Sequence, residues 1–446
     1  MATDTDTKPA SELEPASESS RAAEVYETEA YLRRGLLRLL TCGSVDDGKS
    51  TLIGRLLHDS KSIFEDQLEA VRGASIRRGD ERVNLALLTD GLRAEREQGI
   101  TIDVAYRFFS TPRRKFIIAD TPGHVQYTRN MVTGASTANL AVILIDARVG
   151  VIEQTRRHAF LASLLRIPNI LVAVNKMDLV GWSESVFTEI KRVFETFAEA
   201  LSFDNVEFMP LSALLGDNVV HPSKNMPWHE GPSFLRYIEE VGVPDDLDDH
   251  HDRFPVQWII RPQSAQWPDF RGYAGTIASG RIRAGDRVRV LPGNRETTVT
   301  NIWIGEEKLE EVVPPMPATL ELADDIDISR GDMIVDPNNP PRVGNEFEAM
   351  VVWMAEEPMR VRKKYSLKHA TRDARCIVKE LRYRLDISDL SQDASANSLE
   401  LNQIGRISLK TTKPLFYDRY EECRATGSFI IIDEATNNTV GAGMIL

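Results

Sequence analysis

Cysteine is scarce in this chain: Cys42, Cys376 and Cys423 are the three among 446 residues, odd in number and widely spaced. That argues against a disulfide framework or a cysteine-built zinc site and fits a reducing cytosol. Long apolar runs are missing as well. No uninterrupted stretch approaches the length of a membrane span, so no membrane contact is expected. The opening residues, Met1-Ala2-Thr3-Asp4-Thr5-Asp6, lack the basic-then-apolar order of a secretory leader. Basic residues are in deficit, 54 Lys and Arg against 67 Asp and Glu, for a net charge of −13. This argues against a protein that coats nucleic acid. No repeat of fixed period is present. The eight histidines contain no His-x-x-His or His-x-Gly-His pattern. No second Gly-x-x-x-x-Gly-Lys loop follows residue 50, so no separate ATP site is expected.

What is present is a soluble, globular composition, 42% hydrophobic and 27% charged. The length is too great for one ordinary core. Residues 1–22 are rich in Ser, Ala, Glu and Thr and read as a disordered tail. Residues 23–242 alternate strand-like and helix-like patterns, as in a doubly wound, mostly parallel sheet. Val186 to Leu201 reads as a helix, with Ile190, Val193, Phe194 and Phe197 on one face. A polar linker, 243–253, follows. The texture then changes to short β-type runs broken by Gly and Pro, in two blocks, 254–344 and 345–446. The alternating Arg281, Arg283, Arg287 and Arg289 read as the solvated face of a strand.

The chemistry is concentrated in four motifs. The first is Gly43-Ser44-Val45-Asp46-Asp47-Gly48-Lys49-Ser50, followed by Thr51. It fits the phosphate-loop pattern, lying after an apolar strand (Leu36 to Leu40) and before a helix (Leu52, Ile53, Leu56, Leu57). Such a turn points backbone N–H groups at an anion, and the helix N-terminus adds a favourable dipole. Lys49 is placed to reach the β- and γ-phosphates, and Ser50 to place its hydroxyl on Mg²⁺. The second motif is Asp120-Thr121-Pro122-Gly123, closing the apolar run Phe116 to Ala119. A carboxylate there can hold Mg²⁺ through water, and the Gly123 N–H can sense a γ-phosphate. The third is Asn175-Lys176-Met177-Asp178, after the strand Ile170 to Val174. The Asp178 carboxylate can accept from guanine N1–H and the 2-amino group, which adenine lacks. Asn175 suits the O6/N7 side, and the Lys176 stem can lie over the base. The fourth is Ser212-Ala213-Leu214, whose backbone N–H groups can meet guanine O6. Between the first two, Thr101 is the candidate switch threonine, its hydroxyl joining Mg²⁺ when a γ-phosphate is present.

Together the motifs specify a GTPase, and their wording narrows it. Asp90-Gly91-Leu92-Arg93-Ala94-Glu95-Arg96-Glu97-Gln98-Gly99-Ile100-Thr101-Ile102-Asp103 and Asp120-Thr121-Pro122-Gly123-His124 resemble the translation-factor GTPases. Residues 43–60, Tyr127 to Ser136, Thr155-Arg156-Arg157-His158 and Leu322 to Asp332 resemble the GTPase subunits of bacterial sulfate adenylyltransferase. That resemblance runs from about residue 35 to the C-terminus. It implies a P-loop GTPase domain followed by two small β-barrels, elongation-factor-like. It implies GTP as substrate, Mg²⁺ as cofactor and a smaller catalytic subunit that binds ATP and sulfate and forms adenylylsulfate. By the same resemblance, His124, Lys49 and Thr101 carry catalysis, His124 orienting the attacking water. Ser50 and Thr101 ligate Mg²⁺ directly, with Asp120 acting through water. Elongation factors usually carry a His after the first Gly of the phosphate loop; Ser44 stands there in this chain, and Asp46 and Asp47, before Gly48, shape the loop. The rival expectation is an elongation-factor-like carrier of aminoacyl-tRNA. Such factors often read Gly-Arg-Phe near the C-terminus, and here the run is Gly427-Ser428-Phe429. Some relatives carry an adenylylsulfate kinase at the C-terminus, and none is expected here.

Overall fold

A computed structural model describes residues 35–61, 103–123, 128–243, 251–262, 270–387 and 389–446, and single positions or short runs at 69, 71–73, 75–76, 83 and 85–88. The N-terminal unit is built on a six-stranded sheet. Its strands in chain order are β1 (Leu36–Cys42), β2 (Ala105–Ser110), β3 (Lys115–Asp120), β4 (Leu140–Asp146), β5 (Asn169–Asn175) and β6 (Asn205–Pro210). In space they run β2-β3-β1-β4-β5-β6, parallel throughout except for β2 against β3. Every residue of β4 and β5 is buried. That is why both read as continuous apolar runs: a central parallel strand is covered on both faces.

Alternate residues of these strands feed two cores. Leu40, Ala141, Ile143, Ile145, Val172 and Val174 meet α2 (Thr128–Ala135), α3 (Glu153–Leu164) and α4 (Glu184–Ala198). Leu37, Leu39, Val142, Leu144, Leu171 and Ala173 meet α1 (Lys49–Asp59) and α5 (Phe234–Glu240). α4 begins where the Ser183 hydroxyl accepts from the Val186 amide. It buries Ile190, Phe194 and Phe197 at helical spacing. The helix runs from Glu184, a little earlier than the expected Val186, because the cap sits just before it.

Beyond residue 250 all pairing among the described residues is antiparallel. The strands Arg287–Leu291, Met333–Val335, Arg253–Ile260, Gly272–Thr276, Pro317–Leu322 and Arg295–Ile304 follow one another around a barrel, closed by pairing of the last with the first. A second barrel runs Lys364–His369, Ser428–Ile432, Thr439–Ile445, Arg342–Trp353, Ile404–Tyr417 and Arg372–Leu385, again closed on itself. Closure leaves no open sheet edge between these strands. The strand Arg342–Trp353 crosses the expected division at 344/345. Its register against Ile404–Tyr417 shifts between Gly344 and Glu346.

Arg253, expected in a solvated linker, is instead completely buried at the start of its strand. Its guanidinium meets Asp418 of the second barrel through two 2.9 Å hydrogen bonds. The Arg281 to Arg289 series is exposed or partly exposed and paired with Glu311 and Glu296, as a solvated strand face should be. The second barrel also packs on the N-terminal unit. Met350, Val352, Met354, Ile404, Tyr420 and Met444 join the same core as α2 to α4. Arg424 donates to the carbonyls of Ser136 (2.8 Å) and Ala138 (3.3 Å) just beyond α2, and the Tyr420 hydroxyl donates to that of Leu165 just beyond α3. All three cysteines are free and buried. Among the described residues, no helix is long and apolar enough to cross a membrane.

Candidate functional site

The sheet order reverses at β1, with β3 on one side and β4 on the other. In such sheets ligands bind beyond the carboxyl ends of the strands at the reversal. Three of the four motifs lie there at strand ends: Gly43 to Thr51 after β1, Asp120 to Gly123 after β3, and Asn175 to Asp178 after β5. Ser212 to Leu214 follows β6.

The phosphate loop turns through left-handed backbone at Asp46 (φ 65°) and Gly48 (φ 90°). Gly48 is required for a second reason: a Cβ there would come within 2.4 Å of Asn175 Nδ2. The Asp47 carboxylate accepts the Ser44 amide at 2.5 Å and so closes the turn on itself. Burial pushes the Asp47 carboxyl up, and the Lys49 ammonium and Ser44 amide offset part of that. Lys49 is buried, and its Nζ donates to the carbonyls of Gly43 (3.0 Å) and Ser44 (2.7 Å). Burial lowers its pKa, opposed by the carboxylates of Asp120 and Asp47. Ser50, in the first turn of α1, donates to Asp120 Oδ2 at 3.2 Å, and Thr41 donates to Asp120 Oδ1 at 3.0 Å. Thr121 is anchored to the Thr41 carbonyl at 2.7 Å. Val45 and Thr51 are partly exposed, Pro122 and Gly123 buried. Gly123 packs so closely on the loop that a Cβ would meet Lys49 Nζ at 2.7 Å and Val45 N at 2.8 Å.

At the other end of the cleft, Lys176 adopts a left-handed conformation (φ 63°) and its Nζ bonds Asp146 Oδ2 at 2.9 Å. Burial opposes ionisation of Asp146, but hydrogen bonds from Arg148 and Lys176 outweigh it and hold the carboxyl well below the usual range. Asp178 Oδ1 is buried with no hydrogen-bond partner among the described residues. An orphaned buried acceptor is rare in folded proteins and calls for a donor. Guanine N1–H and its 2-amino group are donors of the right kind. Met177 packs in the core beneath.

Asn175 also has partners within the protein. Its Nδ2 donates to the Asp47 carbonyl at 2.7 Å, and its Oδ1 accepts the Ala213 amide at 2.9 Å. The side chain therefore braces the phosphate loop against the fourth motif. One amide proton and one lone pair remain for a base. The Ser212 hydroxyl accepts the Leu215 amide, and Leu214 is half exposed.

Ser50 and Asp120 together offer a hydroxyl and a carboxylate beside the phosphate loop. Hard oxygen donors of this kind suit Mg²⁺, which takes one or two protein ligands and completes its shell with water and phosphate. Among the described residues there is no cluster of three His, Cys, Asp or Glu able to hold a metal unaided. His124 and Thr101 lie outside the described residues.

Several residues of the site escaped the sequence reading. Asp146 ends an apolar strand as Asp120 does, and that resemblance could have found it. Arg55 donates through Nε to the Ala213 carbonyl at 3.2 Å and also reaches the Leu214 carbonyl, holding the fourth motif to α1. Gln154 donates to the Gly123 carbonyl at 3.2 Å. Nothing in a single sequence distinguishes these from ordinary surface residues.

Comparison with known proteins gives the family. Residues 35–251 match the elongation factor Tu GTP binding domain, and residues 346–446 match the GTP-eEF1A C-terminal domain-like family. The chain is 56% identical over 412 residues to the bifunctional enzyme CysN/CysC of Mycobacterium tuberculosis, covering 92% of this chain and 67% of that protein. It is 54% identical to sulfate adenylyltransferase subunit 1 of Aeromonas hydrophila, covering 94% of this chain and 88% of the relative. Against the protein of the same name from Bacteroides fragilis it is 52% identical, covering 95% and 89%. None of the three is named as a translation factor. With its elongation-factor-type GTP-binding domain and C-terminal barrel, the chain belongs to the sulfate adenylyltransferase subunit 1 family.

Proposed function

We propose that this chain binds GTP·Mg²⁺ and couples its hydrolysis to the formation of adenylylsulfate and diphosphate from ATP and sulfate by a smaller partner subunit. The observation that carries the guanine assignment is the buried Asp178 Oδ1, without a hydrogen-bond partner among the described residues, in the motif whose Asn175 bonds the phosphate loop. The family supports the coupling. A phosphoric–sulfuric anhydride is an unfavourable product, and a second hydrolysis can pull it forward.

In this reading the amides of Gly43 to Thr51 cradle the phosphates and Asp46 and Asp47 hold the shape of the loop. Lys49 exchanges its bonds to the Gly43 and Ser44 carbonyls for phosphate oxygens. Ser50 and Thr101 hold Mg²⁺ directly, and Asp120 through water. When bound there, Mg²⁺ would supply charge neutralisation at the phosphoryl group. Asp178 pairs with guanine, Lys176 covers the ring while Asp146 fixes its ammonium, and Ala213 lies at the O6 edge. His124, next after Gly123, orients the attacking water. In the same reading the GTPase domain spans 23–242 and a linker follows; the first barrel opens with the strand that begins at Arg253 and the second with the strand Arg342–Trp353. The site of action is the cytoplasm.

The test is co-purification of the full chain with its partner, followed by GTP hydrolysis with and without ATP and sulfate. The chain alone should bind GTP and make no adenylylsulfate. With the partner, synthesis should appear and GTP turnover should rise. Steady adenylylsulfate production by the chain alone would defeat the division of labour.

A further inference from the structure

Thr155-Arg156-Arg157-His158 is distinctive in the sequence, yet none of its residues enters the phosphate or guanine sites. It lies in α3 just after Gln154, whose side chain does reach the phosphate end. Gln154 Nε2 is 3.2 Å from the Gly123 carbonyl and 3.2 Å from His158 Nε2. The geometry fixes the roles. Turning the amide over would set Gln154 Oε1 against the Gly123 carbonyl, acceptor against acceptor, so the nitrogen faces Gly123 and both its protons are used. His158 Nε2 must then accept, and the ring proton sits on Nδ1. That Nδ1 is buried with no partner among the described residues. His158 is 3% exposed. Burial, with the charges of Lys49 and Arg157, pushes its pKa down to about 3, so the imidazole is neutral wherever the protein works.

Gly123 is the residue these contacts control. It lies so near Lys49 and the backbone of the phosphate loop that a Cβ there would meet both, and its carbonyl belongs to the peptide bond that leads on to residue 124. A displaced Gly123 peptide changes what surrounds the γ-phosphate without removing any group that holds the rest of the nucleotide.

We propose that Gln154 and His158 are positioning residues for GTP hydrolysis: His158 orients the Gln154 amide, and Gln154 holds the Gly123 carbonyl so that the peptide stays seated against Lys49. The proposal rests on the GTPase reading above. It separates turnover from affinity, because guanine and the α- and β-phosphates are held by other residues.

The experiment measures single-turnover GTP hydrolysis and the affinity for a non-hydrolysable GTP analogue, using the full chain with its partner. The variants are Gln154→Ala, Gln154→Glu, His158→Ala and His158→Gln. Gln154→Glu keeps the shape and loses the N–H donors, while His158→Gln keeps an acceptor for Gln154. Gln154→Ala, Gln154→Glu and His158→Ala should slow hydrolysis about 10- to 100-fold, the range expected when a reacting group is displaced by about an ångström. Analogue affinity should change by less than about threefold. His158→Gln should recover most of the rate. Wild-type rates in Gln154→Ala and Gln154→Glu, or equal losses of rate and affinity, would overturn the proposal while leaving the GTPase reading intact. Failure of the wild-type protein to bind or hydrolyse GTP would overturn both.

Discussion

Asn175 Nδ2 donates to the Asp47 carbonyl at 2.7 Å across 128 residues of sequence. The same side chain accepts the Ala213 amide. The guanine end and the phosphate end of the cleft are therefore one hydrogen-bonded unit, and Asn175 is its centre.

Replacing Asn175 with Ala leaves the Asp47 carbonyl and the Ala213 amide buried and unpaired. Each such group costs about 1–3 kcal/mol. The expected result is a lower melting temperature and a parallel loss of affinity for GTP and GDP, read by thermal melts and nucleotide titration. Loss confined to GTP would mean that Asn175 serves the γ-phosphate side and not the whole frame.

Asp178→Asn should exchange guanine for xanthine. The amide can donate where the carboxylate can only accept, so it suits the 2-oxo group of xanthosine triphosphate and opposes the 2-amino group of GTP. The penalty of the mispaired group, about 1–3 kcal/mol, corresponds to a weakening of GTP binding of roughly tenfold or more. Competition between the two nucleotides measures it directly. Unchanged affinity for both would remove Asp178 from the base site.

Gly123→Ala should be far more harmful than an added methyl group suggests. Its Cβ would meet Lys49 Nζ at 2.7 Å, and also the Ser44 carbonyl carbon and Val45 nitrogen at 2.8 Å. Lys49 is flexible and can yield. The other two atoms are backbone and cannot yield without deforming the phosphate loop. GTP turnover should fall by about tenfold or more, since small displacements of a reacting centre are expensive. A steady-state assay with normal rates would show that Gly123 moves away from the loop during the cycle.

Arg253→Met should destabilise the pair of barrels by about 3–5 kcal/mol, the usual consequence of leaving one member of a buried ion pair alone. Arg253 also donates to the carbonyls of Asp252 (3.0 Å) and Asn339 (2.8 Å), which lose their partner too. The pH dependence gives a second check. Burial raises the Asp418 carboxyl, but the Arg253 guanidinium and the Thr426 hydroxyl outweigh it, and the folded pKa lies below the usual carboxylate value. Stability from this pair is therefore present above pH about 4 and is lost as pH falls through the folded pKa. In the variant the Thr426 hydroxyl still donates to Asp418, but burial is the larger influence and favours the neutral form. The stability gap between the two proteins should narrow as pH falls from 7 towards 4, measured by denaturant titration at each pH.

The legible part of this protein is the part written in contiguous runs. The phosphate loop, Asp120-Thr121-Pro122-Gly123 and Asn175-Lys176-Met177-Asp178 each lie within one turn at the end of one buried strand. Strand, turn and helix signals there are local, so residue type and spacing suffice. The two β-rich blocks were legible for the same reason, since Gly and Pro punctuate short apolar runs. Barrel closure was expected from the family resemblance and not from these runs, because the closing pairs, such as Arg287 with Thr298 or Lys364 with Ile377, depend on how the strands curve around a shared core.

By itself, the sequence determined which chemistry this protein carries and the order of its parts. Only the tertiary structure decided how the side chains are used. Asn175 became a brace because Asp47 and Ala213 arrive beside it from opposite sides. Lys176 was fixed by Asp146 from the neighbouring strand, and Gly123 by Gln154 from a helix 31 positions away. Arg253 left the solvated linker for the interior because Asp418, 165 positions on, supplies the counter-charge that makes its burial tolerable. A buried polar group takes whatever partner the fold brings within about 3 Å, and spacing along the chain does not encode that distance.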